Sequence, residues 1–191
     1  MFNYVSTRIT EKMVKCGTVA DQDKKLYLFG IQQGLTNILN LVTTVIIGLV
    51  LGVLWQMLLF MAAYIPLRSF AGGYHAKTPL RCYILSVLLL TAIALAIKYV
   101  DLHIYFQLGL LISASITVFL LSPVGNENKP LDELEKKIYK RKTIVICISE
   151  ISTAIVLLCL NFTVLAVSMI WAVVVCAGML ILGKVKSGYF S

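Results

Sequence analysis

Acidic side chains are scarce in this chain. Nine Asp and Glu stand against seventeen Lys and Arg in 191 residues, and charges of both signs make up only 14%. A soluble domain carries about 25%, so a water-facing surface over the whole chain is excluded. Only two histidines are present. One His beside one Cys falls short of the three or four ligands that zinc normally takes, so neither a metal site nor another cofactor is expected. The five cysteines are an odd number without framework spacing, which argues against a disulfide scaffold. No Gly/Ser or Pro linker and no internal repeat divides the chain, so residues 1–191 are expected to form a single membrane-embedded domain. A removable signal peptide is not expected. The first apolar run begins late, and Arg8, Lys12 and Lys15 interrupt the stretch before it.

What is abundant is apolar sequence, at 59% of residues and a mean hydropathy of +0.89. Six hydrophobic segments stand out, at about 34–54, 55–71, 82–98, 104–122, 144–160 and 162–183. Several approach the ~20 residues that cross a bilayer as a helix. The expected fold is an all-α integral membrane protein of about six transmembrane helices. With the N-terminus inside, residues 1–33, the 68–81 loop, the 123–143 loop and the tail after Gly183 are cytosolic, and both termini lie on that side. Those pieces hold sixteen of the seventeen basic residues and leave only Lys98 outside. This obeys the positive-inside rule and predicts a membrane protein with Cys16 and Cys82 facing the reducing cytosol. The net charge of +8 therefore reports orientation. It is spread over separate membrane-flanking loops without a nucleic-acid-binding motif, so no nucleic acid partner is expected. The second segment is short: Trp55 to Leu67 is 13 residues, about 20 Å of helix. Pro66 and Gly72-Gly73 predict a helix that breaks near the cytosolic face. A variant with four spans, 55–81 re-entrant and another segment lying flat, stays open.

Near the N-terminus, Phe2, Val5, Ile9, Met13 and Cys16 recur at helical spacing, with Asn3, Arg8, Glu11, Lys12 and Lys15 on the other face and Gly17 placed as a stop. The pattern predicts an amphipathic helix on the inner leaflet. A docking helix for a partner is the alternative.

The stretch Arg68-Ser-Phe-Ala-Gly-Gly-Tyr-His75-Ala-Lys-Thr-Pro-Leu-Arg-Cys82 carries the chemistry. Thr78 reads as an N-cap and Pro79 as the first helical residue, which puts Cys82 in the first turn of the third segment. The partial positive charge of a helix N-terminus favours a thiolate, and Arg81 and Lys77 add to the field; burial in an apolar segment opposes it. Gly72-Gly73 makes the preceding loop adaptable enough for His75 to reach the sulfur, as nucleophile and base must. A lone Cys in a membrane helix is ordinarily a packing residue, and Cys147, Cys159 and Cys176 read that way. The residues alone leave catalysis and packing both open for Cys82.

The same stretch resembles the accessory gene regulator B (AgrB) family of bacterial membrane cysteine peptidases. That family has an Arg, a Gly-Gly-x-His and, seven residues after the His, a catalytic Cys. Here these are Arg68, Gly72-Gly73-Tyr74-His75 and Cys82. Ser122-Pro123 followed by Lys129-Pro130 is similar to the family's second cytosolic loop. The resemblance implies a thiol protease of quorum sensing that cuts the C-terminal tail from an AgrD-like propeptide and cyclises the rest. Cys82 would hold the peptide as a thioester. His75 would take the thiol proton and give it to the leaving amine. A Cys or Ser of the substrate would then displace Cys82 and close the thiolactone or lactone of an autoinducing peptide. A homodimer in the lipid bilayer is also implied.

Supporting residues are less specific. Backbone N–H groups at Gly72, Gly73 or the start of the Cys82 helix could form an oxyanion hole. Arg68 reads as an oxyanion or substrate contact, or as an anchor for the second segment. Glu150 is the one acid in the middle of a hydrophobic segment. It could pair with Arg68, orient His75, or bond neighbouring helices. The run Lys136, Lys137, Lys140, Arg141 and Lys142 comes after Asp132-Glu133-Leu134-Glu135. This order suits a short helix with pairs Asp132–Lys136 and Glu133–Lys137. Its roles are a topology stop with anionic-lipid contact, or a grip on an acidic substrate tail, as the family's propeptides imply. The rival to a peptidase is a small multi-pass transporter or peptide exporter, which six segments, a broken helix and Glu150 also suit. A non-catalytic membrane adaptor is a second rival.

Overall fold

The computed structural model describes residues 2–74, 78–100, 103–125 and 132–188. They form seven α-helices: α1 Phe2–Lys15, α2 Lys24–Leu51, α3 Leu54–Ala71, α4 Pro79–Tyr99, α5 Ile104–Leu121, α6 Glu133–Cys159 and α7 Thr163–Gly188. A short 3-10 turn, Asp21–Asp23, leads into α2. Six of the helices, α2 to α7, are long and apolar enough to cross a bilayer. The chain is an all-helical, multi-pass membrane protein. Six candidate spans favour the six-helix reading over the four-span alternative, because 54–71 is one continuous helix long and apolar enough to cross.

The helices extend beyond the apolar runs. Polar first turns are invisible to hydropathy, so α2 begins at Lys24 rather than near 34, and α6 at Glu133 rather than near 144. The 27 residues of α6 span about 40 Å at 1.5 Å per residue, against a hydrocarbon core of ~30 Å. The basic run is thus a continuous extension of a spanning helix. The expected pair Asp132–Lys136 is absent because Asp132 is the N-cap. Its carboxylate accepts from Glu135 N–H at 2.6 Å, and the Glu135 side chain reaches back to Asp132 N–H in a capping box. Lys136 pairs with Glu133 instead, at 2.7 Å.

The helix expected to break near the cytosolic face, from Pro66 and Gly72-Gly73, passes the proline before it ends. α3 runs through Pro66 to Ala71. Leu67 and Ala71, beyond the proline, are fully buried, and this packing holds the last turn against the lost backbone donor. The break comes at Gly72.

At the centre stands α7, with Ala166, Ala172, Val173, Cys176 and Leu180 fully buried. Small side chains let neighbouring backbones approach closely where no hydrophobic force drives helices together. Helices α3, α5 and α6 pack around α7, while α2 and α4 pack on each other and α2 on α3. Outward faces carry exposed Leu, Ile and Val, as a lipid-facing surface should. Trp55 and Tyr105, at the starts of α3 and α5, are 74% and 78% exposed. They mark one rim of the bilayer, where aromatic side chains concentrate.

Helix α1 ends as expected before Gly17, which adopts φ 70°. It packs on α2, with Ser6 and Thr10 buried and the Thr10 hydroxyl donating to the Ser6 carbonyl at 2.8 Å. Val5 and Ile9 remain exposed, so the apolar stripe is left free on the outside of the bundle.

Candidate functional site

The third spanning helix starts as its sequence dictates. The Thr78 hydroxyl accepts from Arg81 N–H at 3.4 Å, a long cap, and the Thr78 carbonyl accepts from Cys82 N–H at 3.0 Å. Cys82 therefore stands in the first turn of α4, half-buried, whereas Cys147 and Cys176 are wholly buried. It opens onto a cavity of about 230 Å³ between α2, α3 and α4, lined also by Tyr74, Val124-Gly125, Tyr139 and Met179. That is below the roughly 300–1,000 Å³ of clefts that bury a whole small ligand, so it suits a short stretch of chain. His75, the other half of the expected pair, lies outside the described residues.

The loop before His75 is laced to three elements. Arg68, in the last turn of α3, donates from its two terminal nitrogens to the carbonyls of Gly72 and Tyr74. Tyr74 N–H donates to the Met179 carbonyl of α7 at 2.9 Å, and Val124 N–H donates to the Ala71 carbonyl at 2.9 Å. Gly72 and Val124 form a parallel bridge. Gly72 adopts φ 77°, ψ −148°, a region essentially confined to glycine, and a Cβ there would overlap the Val124 carbonyl oxygen. On the far side Gly183 leaves room for the loop: its Cβ would come within 2.7 Å of the Gly73 carbonyl carbon. A planar guanidinium with a fork of donors suits this double capture, which a point-charge ammonium cannot reproduce. Arg68 thus shapes the loop. Gly72 N–H donates to the Arg68 carbonyl at 3.0 Å, so that donor is already engaged.

Glu150 sits apart. It is 5% exposed in α6, and neither carboxylate oxygen has a hydrogen-bond partner among the described residues. The pairing with Arg68 is not formed, and Glu150 does not line the Cys82 cavity.

The basic run divides by role. Lys140 donates to the carbonyls of Phe119 and of Ser122, the latter at 2.9 Å, closing the end of α5. Lys142 lies over the Phe70 ring at 4.7 Å, a cation–π contact. Tyr139 meets Phe70 edge to face, centroids 5.7 Å apart. Lys136, Lys137, Lys140 and Arg141 line an open groove of about 480 Å³ floored by Pro123, Ile144 and Val145. Pro123 borders this groove while its neighbours Val124 and Gly125 border the Cys82 cavity. The two spaces adjoin across one short segment.

Sequence reading gives no role to Gln33, Asn37 and Asn40, yet all three line the Cys82 cavity. Their spacing of i, i+4 and i+7 inside an apolar run is the signal that singles them out.

Comparison with known proteins bears on this arrangement. The model of the family Accessory gene regulator B, AgrB, matches residues 6–181. Accessory gene regulator protein B of Staphylococcus aureus (strain bovine RF122 / ET3-1) is 29% identical over 116 residues, covering 61% of this chain and 60% of the relative. AgrB-like protein 2 of Clostridium perfringens (strain 13) is 23% identical over 144 residues, covering 72% and 67%. An AgrB-like protein of Listeria monocytogenes serotype 4a is 29% identical over 127 residues, covering 64% and 62%. The matches thus span between 60% and 67% of these relatives' lengths. No solved structure matches the chain. With the family match running from α1 into α7 and the six spans in place, the chain belongs to the AgrB family of multi-pass membrane proteins, which act in accessory gene regulation, a form of quorum sensing.

Proposed function

We propose that this protein is a membrane-embedded cysteine endopeptidase that removes the C-terminal tail of an AgrD-type propeptide and cyclises the remainder. The observation that carries the reading is the setting of Cys82: a half-buried thiol in a helix first turn, opening into a cavity that adjoins a basic groove. Packing cysteines such as Cys147 and Cys176 have no such access.

In the first step the Cys82 sulfur attacks the scissile carbonyl while His75 accepts the thiol proton. His75 then protonates the leaving amine, the C–N bond breaks, and the tail departs. The peptide remains on Cys82 as a thioester. In the second step a thiol or hydroxyl of the peptide attacks that thioester carbonyl, and His75 passes its proton to the departing Cys82 sulfur. A thiolactone or lactone ring is released. Thioester exchange is nearly balanced, whereas making a thioester from an amide is uphill. Water must therefore be kept from the acyl-enzyme, which an apolar wall of Phe60, Met61, Leu85 and Leu89 favours.

The oxyanion is held by Gly73 N–H or by Leu80 N–H, since the N–H groups of Gly72, Arg81 and Cys82 are engaged and Pro79 has none. Arg68 acts by fixing the loop that leads to His75. Lys136, Lys137 and Arg141 grip an acidic tail at the cytosolic face, where tail and ring-forming segment would lie in the groove and the cavity. Contact with the lipid bilayer and a homodimeric state complete the proposal.

The test is tail release, measured by mass spectrometry, from a synthetic AgrD-type propeptide by purified protein in lipid vesicles. Cys82→Ala and His75→Ala are each expected to reduce release to background. Full release by Cys82→Ala, or none by the wild type with a propeptide matured in the same cells, would overturn the proposal in favour of an exporter.

A further inference from the structure

Gln33, Asn37 and Asn40 are three of the four amide side chains of α2, a helix that is otherwise largely apolar after its first turn. Gln33, Asn37 and Asn40 all line the cavity onto which Cys82 opens. Amides inside a spanning helix are costly unless their polar atoms find partners. Here they do so poorly. The Gln33 Nε2 donates to the Asn37 Oδ1 at 3.1 Å, a bond within one helix, and the Asn40 Oδ1 is buried without a partner. Among the described residues that is the only hydrogen bond these side chains make. Amides that glue spanning helices together bond across to a neighbouring helix, and these do not. A side-chain hydrogen bond between α2 and α4 is made elsewhere, between the Thr43 and Tyr83 hydroxyls at 2.8 Å.

That contact also sets the register. Tyr83 is the next residue after Cys82, and Thr43 lies one turn beyond Asn40. The nucleophile's turn is therefore pinned to α2 just past the end of the amide row. From Gln33 to Asn40 the row rises about 10.5 Å at 1.5 Å per residue. Three residues of extended peptide cover about 10 Å at 3.3 Å each. A primary amide offers both an acceptor oxygen and two N–H donors, which matches the alternating C=O and N–H of a peptide main chain. A peptide entering an apolar cavity must satisfy those groups from the protein.

We infer that Gln33, Asn37 and Asn40 bind the main chain of the peptide substrate in extended form along α2, and so deliver its scissile carbonyl to Cys82. This rests on the peptidase reading above. The ligand is the backbone itself, so the row is indifferent to the peptide's side chains. The amides are positioning residues: they hold the substrate, and the bond-making stays with Cys82.

The experiment uses full-length protein in vesicles with a synthetic AgrD-type propeptide, and reads tail release against propeptide concentration. Asn37→Leu and Asn40→Leu are each expected to raise the half-saturating concentration about three- to tenfold, the worth of one net hydrogen bond. The rate at saturation and the alkylation of Cys82 by iodoacetamide are expected to hold. A second set of propeptides replaces single amide bonds, in the residues before the cleavage point, with esters that lack the N–H. At one position the ester is expected to weaken wild type by the same factor and to add nothing further in the Leu variant whose partner it removed.

An unchanged half-saturating concentration in Asn37→Leu/Asn40→Leu, with normal Cys82 alkylation, overturns the inference alone. So does an ester penalty that persists undiminished in every variant. No tail release by the wild type at any concentration overturns the peptidase reading and this inference with it.

Discussion

Two halves of the bundle treat cysteine in opposite ways. On one side, α2, α3 and α4 leave a cavity, and Cys82 stands at its edge half-buried with amides, a tyrosine and a pinned loop around the space. On the other, α5 and α6 close on α7, and Cys147 and Cys176 are wholly buried. Thiol chemistry needs access for a substrate and a route for the proton. Cys147 and Cys176 have neither and are small packing residues, whereas Cys159, expected to pack, is exposed at the end of α6. The contrast shows that position relative to packing decides the role of a thiol in this chain. It also accounts for Glu150, which belongs to the closed half.

Exchanging cysteines breaks the comparison most severely. Cys82→Ala is expected to reduce propeptide tail release to background. Cys147→Ala and Cys176→Ala are expected to retain it while lowering stability by roughly 1 kcal/mol each through lost packing. Mass spectrometry of released tail and thermal unfolding of the detergent-solubilised protein separate the two effects.

The loop comes next. Gly72→Ala forces a Cβ onto the Val124 carbonyl and into a backbone region that costs about 1–3 kcal/mol for other residues, so release is expected to fall by about tenfold or more. Arg68→Lys loses the double capture of Gly72 and Tyr74 carbonyls. It is expected to lower the rate at saturating propeptide while leaving the half-saturating concentration nearly unchanged. A large rise in that concentration would instead give Arg68 a direct hold on substrate.

A smaller effect is expected in the basic groove. Neutralising Lys136, Lys137 and Arg141 to Gln should raise the half-saturating concentration several-fold at low salt and less at high salt, because exposed charges are screened within about 10 Å at 0.1 M. Iodoacetamide labelling of Cys82 should be unaffected. Lys140 is left out of that set because it closes α5; Lys140→Gln should show as lost thermal stability.

The smallest change is expected from Glu150→Gln. An isosteric amide in the closed half, away from the cavity, should keep tail release within about twofold, since a site without contact to reacting atoms contributes little to the barrier. A loss comparable to Gly72→Ala would place Glu150 in the working half after all.

The spans were legible because hydropathy and length report membrane crossing directly: all six apolar runs correspond to helices. The polar start of α2 at Lys24 was not; the helix over Glu133–Lys142 was readable from its acidic-then-basic order, but its continuity with the apolar helix it leads into was not. The start of α4 was readable from Thr78-Pro79 because capping is local. The passage of α3 through Pro66 was not, because burial of Leu67 and Ala71 against other helices overrides the local breaker. Gly72 announced a special backbone. The Val124 segment it accommodates is distant in sequence, and so is the notch at Gly183 that admits Gly73. The amides of α2 carried a readable spacing, but only the cavity gives that spacing a purpose.

The most direct measurement is the intact mass of the protein after mixing with propeptide in vesicles. A covalent acyl-enzyme adds the propeptide mass less its tail and one water, in wild type and not in Cys82→Ala, and the adduct decays as cyclic peptide appears. Tail release and cyclic product in wild type with that mass never present, under quenching fast enough to trap a thioester, would contradict covalent catalysis at Cys82.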